Sequence, residues 1–102
     1  MKMIWAVVRS GKVEEIARQL KKIGVSWCTV YPVRGYGEEW QSLRAYDPRH
    51  QKLEAIVKDT QVDQAVKEIA NNGSTGLEGD GILAVFELKD VMSIRTKAGV
   101  HT

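Results

Sequence analysis

Two stretches of the chain place apolar residues at three- and four-residue spacing, which predicts two amphipathic helices. In the first helix these positions are Val13, Ile16, Ala17, Leu20 and Ile23, and in the second they are Val62, Ala65, Val66, Ile69 and Ala70. Ser10 stands where an N-terminal cap of the first helix is expected, and Gly24 stands where a C-terminal cap belongs.

The remaining apolar runs are rich in β-branched residues and predict four strands, at residues 2–9, 25–35, 51–59 and 81–87. Pro32 predicts that the second strand is an edge strand or carries a bulge, because proline cannot donate to a sheet ladder. The segment 90–96 is expected to be a short strand or a turn, and the last residues are expected to be loose.

The two helical patterns are copies of one another. Val13, Ile16, Leu20 and Gly24 precede Val62, Ala65, Ile69 and Gly73 by the same 49 positions. A βαβ unit written twice predicts the α+β ferredoxin-like βαββαβ architecture, an antiparallel sheet with two helices on one face. A chain of 102 residues without a break in composition is expected to form a single domain, in which residues 36–50 are a long exposed loop or a loose hairpin.

The first predicted strand is apolar on both of its faces. One face carries Ile4, Ala6 and Val8, the other carries Met3, Trp5 and Val7, and residues 82–86 repeat this pattern. At roughly 25 cal/mol per Å² of apolar surface, leaving one face in water would forfeit several kcal/mol. We therefore expect the face of the sheet that does not meet the helices to be covered by other subunits of an oligomer.

Composition narrows the class of protein only slightly. A net charge of +2 is too small to indicate a nucleic-acid or membrane partner. No apolar run is long enough for a membrane span, and residues 1–12 lack the pattern of a signal peptide. The single cysteine, Cys28, excludes an intrachain disulfide and a Cys-x-x-Cys site and fits a reducing compartment. The expected location is the cytoplasm.

Residues 75–81 contain three glycines within seven positions and are followed by a predicted strand. A dinucleotide fingerprint stands between a strand and a helix, so the order found in this chain excludes it, and no phosphate-binding loop of the G-x-x-x-x-G-K-[ST] type is present. Two interpretations stay open. The backbone amides of Gly79, Asp80 and Gly81 could form an anion-binding nest, or the glycines could serve only as a flexible connection.

The stretches VYPVRGYG, residues 30–37, and TGLEGDGILAVFELKDVMSIRT, residues 75–96, resemble the PII signal-transduction protein family. Typical members read close to TVTEVRGFG and TGKIGDGKIFV, followed by IRIRTG, and the resemblance covers nearly the whole chain. It implies a homotrimer of ferredoxin-like subunits that binds adenine nucleotides between subunits. It also implies a regulator of nitrogen metabolism or of transporters, with no catalytic activity, that contacts a protein partner through its T-loop.

The resemblance assigns nucleotide-binding positions throughout the chain. They are Thr29 at the adenine, Gly35 and Gly37 at the base of the T-loop, Glu54 and Ile56 on the cleft wall, Gly79, Asp80 and Gly81 at the ribose and phosphates, and Arg95 at the phosphates. The T-loop-like segment is residues 36–50, shorter than in typical members, with Glu38, Trp40, Arg44 and Tyr46 as partner-binding residues. Trp40 either anchors a partner or folds back on its own subunit, and Tyr46 is the candidate position for modification.

Four cations of the family are missing from this sequence. Glu38, His50, Ile82 and Ser93 stand where typical members have arginine or lysine. Each lost charge-assisted contact to a phosphate removes about 1.5–3 kcal/mol, so the implied cofactor is ADP, AMP or ATP bound weakly or with fewer phosphates. Lys52, Arg34, Arg44 and Arg49 are the candidate replacements. Glu39 stands where the family has the glutamine used in sensing 2-oxoglutarate.

Other classes of function have weaker support. The alternative to a nucleotide-dependent regulator is a protein of the same fold that is metal-responsive or a structural interaction module. Its soft-metal candidates are Met1, Met3, Cys28, His50 and His101, which lack close ligand spacing. No early arginine loop of the acylphosphatase type is present, and the third strand has no aromatic residues to stack on RNA.

Overall fold

The chain folds in the predicted βαββαβ order. The computed structural model describes residues 1–35 and 49–100. The strands are β1 (Lys2–Arg9), β2 (Trp27–Pro32), β3 (His50–Val57) and β4 (Gly81–Glu87), and the helices are α1 (Val13–Lys22) and α2 (Val62–Gly73). Short 3-10 turns at Ser10–Lys12 and Asp59–Gln61 lead into the two helices, again 49 positions apart.

The four strands form one antiparallel sheet in the order β2-β3-β1-β4. The prediction that Pro32 belongs to an edge strand is confirmed, because β2 is an outer strand and Pro32 is its last residue. β2 is shorter than the predicted 25–35, and β3 begins at His50, one residue before its predicted start.

Both helices pack on the same face of the sheet, as predicted. The core that they enclose contains Ile4, Ala6 and Val8 from β1, Leu53, Ala55 and Val57 from β3, and Ile16, Leu20, Ala65 and Ile69 from the helices. The 49-residue repeat is visible in this core, since Ile16 and Ala65 are equivalent and both fully buried.

The helix ends are only partly as predicted. Ser10 is not the N-cap of α1, because it begins the 3-10 turn and its amide donates to the carbonyl of Arg49 at 2.7 Å. Gly24 does end the helix. It has φ +92°, and the amides of Gly24 and Val25 donate to the carbonyls of Lys21 and Leu20 at 3.0 Å each, which is the Schellman arrangement.

The second face of the sheet, here called the open face, is formed by the alternate residues of each strand. Reading across β2-β3-β1-β4, its three rows are Tyr31, Lys52, Val7 and Ile82; then Thr29, Glu54, Trp5 and Ala84; then Trp27, Ile56, Met3 and Phe86. Apolar residues predominate toward β4, where the rings of Trp5 and Phe86 stack with centroids 6.2 Å apart. Ile82 is 58% exposed and Phe86 is 41% exposed, so this face presents apolar surface.

The C-terminal segment forms a small hairpin of β5 (Met92–Ser93) and β6 (Ala98–Gly99). The expected short strand at residues 90–96 is therefore present, whereas the expectation that the last residues are loose is wrong for Ala98–Gly99. The hairpin leaves the sheet at the end where the amide of Leu88 donates to the carbonyl of Met1 at 3.2 Å. In the described ranges, neither helix has the length and apolar character needed to cross a membrane.

Candidate functional site

Residues 75–81, here called the glycine loop, are held closed by the carboxylate of Asp80. This carboxylate accepts hydrogen bonds from the amide of Thr75 at 2.8 Å, from the amide of Gly76 at 2.9 Å and from the Thr75 hydroxyl. It also accepts a hydrogen bond from Arg9 Nε at 3.0 Å. The family resemblance assigns Asp80 to the ribose and phosphates, and in the structure its side chain bonds within the loop.

These donors change the ionisation of Asp80. The hydroxyl and amide of Thr75, assisted by the Arg9 guanidinium and the Gly76 amide, hold the pKa of the Asp80 carboxyl well below its usual range. The carboxylate is therefore charged at any pH at which the protein is expected to work. It brings a fixed negative charge to a loop that is proposed to hold anions.

The backbone of the loop has positive φ at its glycines. Gly79 has φ +93° and lies in a turn with Glu78, and Gly81 has φ +118° where β4 begins. Gly81 is paired with Val8 of β1, so the glycine loop lies at the end of the sheet where β1 finishes. The predicted residues Gly79, Asp80 and Gly81 are thus brought together as one structural unit.

Arg9 and His50 are sheet residues whose side chains bond the backbone of the glycine loop. They are register partners on β1 and β3. Arg9 Nη2 donates to the Glu78 carbonyl at 2.7 Å, and His50 Nε2 lies 2.6 Å from the Gly79 carbonyl oxygen. Because a carbonyl oxygen only accepts, His50 must carry a proton on Nε2. His50 is only 6% exposed, and Gly79 itself is buried.

The base of the predicted T-loop meets the same end of the sheet. The amide of Val33 donates to the carbonyl of His50 at 3.4 Å. This hydrogen bond joins the end of the chain before the predicted T-loop to the start of β3 after it. Gly35 follows two residues after Val33. The remaining residues assigned to this segment, Gly37, Glu38, Trp40, Arg44 and Tyr46, lie outside the described residues.

A second group of predicted residues lies on the open face. Thr29 and Glu54 are register partners on β2 and β3, and Ile56 lies two residues further along β3. Thr29 Oγ1 accepts a hydrogen bond from Trp27 Nε1 at 3.1 Å, and Glu54 accepts one from the Tyr31 hydroxyl at 2.6 Å. Three strand spacings of about 4.8 Å separate Thr29 from β4, so one subunit does not join this group to the glycine loop.

Arg95 is far from the glycine loop. It is exposed in the turn of the β5–β6 hairpin, which follows the opposite end of β4 from Gly81. The seven residues of β4 separate these ends by about 20 Å. The structure therefore groups Gly79 with Asp80 and Gly81, and Thr29 with Glu54 and Ile56, and it places Arg95 far from the first of these sets.

The candidate replacement cation Lys52 lies on the open face rather than at the glycine loop. Its Nζ is 4.8 Å from the centroid of the Trp5 ring and 5.8 Å from that of Tyr31, within cation–π distance of both. A cation that does contact the loop is Arg9, which sequence reasoning missed. It could have been found, because β1 pairs with β4 in this fold and its last residue must then lie near the start of β4.

The described soft-metal candidates Cys28 and His50 lie at opposite ends of the β2–β3 ladder, since Cys28 pairs with Ala55. Within residues 1–35 and 49–100, no three histidine, cysteine, aspartate or glutamate side chains lie close enough to hold a metal ion. Cys28 is on β2, where partial burial raises the pKa of its thiol, and His50 is bonded to Gly79. His101 lies outside the described residues.

The sheet order, the two helices on one face and the apolar open face define a small α+β domain of the ferredoxin-like class. The family model for "Nitrogen regulatory protein P-II" matches residues 1–98. The chain therefore belongs to the nitrogen regulatory protein P-II family, whose members are signal-transduction regulators, and it has a regulatory role of this kind.

Individual relatives agree with the family match. The chain is 32% identical over 104 residues to the nitrogen regulatory protein P-II of Pasteurella multocida, covering 94% of this chain and 93% of that protein. It is 36% identical over 104 residues to nitrogen regulatory protein P-II 2 of Methanothermobacter thermautotrophicus, covering 94% and 90%. It is 31% identical over 104 residues to nitrogen regulatory protein P-II 1 of Escherichia coli K12, covering 94% and 93%.

Proposed function

We propose that this chain is a non-enzymatic regulator that forms a homotrimer and binds an adenine nucleotide between its subunits. The observation that carries the proposal is that the glycine loop and the base of the T-loop-like segment, residues 36–50, lie at the same end of the sheet. His50 joins them, since its side chain bonds Gly79 and its backbone bonds Val33. A ligand at the loop would therefore act next to the segment that is proposed to contact a partner.

The position of the predicted residues supports a site shared between subunits. Thr29, Glu54 and Ile56 lie across the sheet from the glycine loop, and Arg95 lies at the other end of β4. One nucleotide could use all of them only if different subunits supplied them. The exposed apolar side chains of the open face, Ile82 and Phe86 among them, give subunits a reason to associate.

The charges near the loop favour a ligand with few phosphates. Asp80 offsets the charge of Arg9, Ile82 brings no charge, and the exposed Glu78 adds a second carboxylate. A triphosphate carries about four negative charges and would meet little compensation at this loop. We expect AMP or ADP to bind better than ATP, and a further small-molecule effector to act through the same cleft.

The partner is proposed to be a transporter or a metabolic enzyme that contacts the T-loop-like segment, residues 36–50. Trp40 is the candidate anchor, with Glu38, Arg44 and Tyr46 as polar contacts around it. Nucleotide occupancy would change partner affinity to the extent that the ligand prefers one state of this segment.

Calorimetry with ATP, ADP and AMP, together with light scattering to measure mass, tests this proposal. We expect a mass three times the 11.4 kDa of the chain and heat from AMP and ADP. Thr29→Val should weaken all three nucleotides, whereas the matched control Thr60→Val, at an exposed position beside α2, should not. A monomeric mass, or no heat from any nucleotide at millimolar concentration, would reject the proposal.

A second candidate function is an interaction module of the same fold that binds no nucleotide. It is favoured by Ile82 and by the use of the Asp80 carboxylate inside the loop. In that case the affinity for a partner would be the same with and without nucleotide. Titration with divalent metals in the same calorimeter would show whether a metal takes the place of the nucleotide.

A further inference from the structure

We propose that Arg9, the last residue of β1, contacts a phosphate group bound at the glycine loop. This inference rests on the proposed nucleotide site and adds a residue to it. It also specifies the ligand, because a single guanidinium suits one phosphate group rather than a chain of three.

The geometry around Gly79 carries the proposal. Gly79 is buried, and a Cβ built on it would lie 3.4 Å from Arg9 Nη2 and 3.9 Å from Nη1. The guanidinium is therefore in contact with the backbone of the loop. The Arg9 side chain is 28% exposed, so it is open to a ligand.

Arg9 also keeps donors available for a ligand. A guanidinium has five N–H groups, and in this chain Nε donates to Asp80 while Nη2 donates once to the Glu78 carbonyl. Nη1 has no hydrogen bond to any residue within 1–35 or 49–100. Nη1 and the second hydrogen of Nη2 form the planar fork that binds two oxygens of one phosphate.

The bonds to Asp80 and Glu78 give Arg9 a fixed orientation before a ligand binds. A partly buried, oriented arginine loses little side-chain entropy when it binds a phosphate. Lys52 and Arg95 lack this placement. Lys52 lies near the rings of Trp5 and Tyr31 on the open face, and Arg95 lies on the C-terminal hairpin.

The test compares adenosine, AMP and ADP binding to the full chain and to Arg9→Gln. A lost charge-assisted contact should weaken AMP and ADP about tenfold to a hundredfold and leave adenosine unchanged. Arg9→Lys keeps the charge without the fork and should give an intermediate loss. Arg18→Gln is the matched control, since Arg18 is an exposed arginine on α1 that pairs with Glu15.

A purely structural role for Arg9 predicts a different result. If Arg9 only holds the loop, Arg9→Gln weakens adenosine as much as AMP, and the salt dependence of AMP binding stays as in the unmodified protein. If Arg9 contacts the phosphate, the salt dependence becomes shallower, because one ion contact is lost. Equal losses for all three ligands, or none, would overturn the proposal. If Arg9→Gln does not fold, the Arg9→Lys series decides by the same criterion.

Failure of the underlying function gives a separate result. If the unmodified protein binds neither AMP nor ADP, the proposed nucleotide site fails and the role of Arg9 fails with it. If the unmodified protein binds both and Arg9→Gln binds them equally well, only the role of Arg9 is rejected.

Discussion

Gly81 lies so close to Val7 that a Cβ on Gly81 would sit 1.7 Å from the Val7 carbonyl oxygen. No side chain can occupy that space, and φ at Gly81 is +118°, a region that L residues rarely adopt. This close approach results from the pairing of β4 with β1, so the start of β4 requires a glycine at position 81. We predict that Gly81→Ala destabilises the chain by roughly 3 kcal/mol or more, measured by urea unfolding.

Gly11→Ala is the control for that prediction. A Cβ on Gly11 meets nothing within 4 Å, and Gly11 does not have the positive φ of Gly81. We expect a change within about 0.5 kcal/mol. Equal stability of the two variants would contradict the close approach of β4 to β1.

The Asp80 carboxylate is expected to make stability depend on pH. Its folded-state pKa lies below the ordinary value of 3.8, so the carboxylate stabilises the folded chain above that pH, and this stabilisation is lost as pH falls below it. Asp80→Asn should therefore lower the urea midpoint at neutral pH, and the difference should shrink as the pH falls below 3.8. Asp90→Asn, at an exposed position, is the matched control for the loss of one carboxylate.

Ile82 offers a gain-of-function test of the charge argument. Its side chain is 58% exposed beside Gly81, so a single subunit has room for a lysine at this position. We predict that Ile82→Lys increases ATP affinity about tenfold by calorimetry, because it returns one cation to the loop. Gln64→Lys changes the net charge equally on the exposed side of α2 and should have little effect. An unchanged ATP affinity in Ile82→Lys would show that missing charge is not what weakens binding.

His50 is expected to stabilise the glycine loop through its bond to Gly79. His50→Leu leaves the Gly79 carbonyl without this donor in a buried place and should cost about 1–3 kcal/mol in urea unfolding. His50→Gln retains an amide donor of similar reach and should recover much of that loss. If both variants lose the same stability, packing rather than the hydrogen bond is the contribution of His50.

Much of the fold could be predicted because it repeats local patterns. The apolar spacing around Ile16 recurs around Ala65, and both residues are fully buried in the structure. Pro32 correctly predicted an edge strand, because the absence of a backbone N–H donor is a property of proline itself and needs no knowledge of the fold. The prediction that Ser10 caps α1 was wrong, because the chain enters α1 through a 3-10 turn and Ser10 is the first residue of that turn.

The candidate site was predicted less completely, because its residues are distant in sequence. The glycines at 79 and 81 were recognisable from their type and from the family pattern. The partners of Asp80 were not, since Arg9 is 71 residues away and reaches it only because β1 lies beside β4. The sequence showed that His50 stands where typical family members have a lysine. Its bond to Gly79 could not be predicted, because that bond depends on the register of β3 against β1.

The sequence by itself determined the two βαβ units, the family and the apolar character of both sheet faces, because these depend on residue type and spacing. Only the tertiary structure decided which charges meet. It uses the Asp80 carboxylate to close the glycine loop, brings Arg9 against Gly79 and leaves Arg95 at the far end of β4. Such contacts depend on strand order and register, which bring together side chains that no local pattern relates.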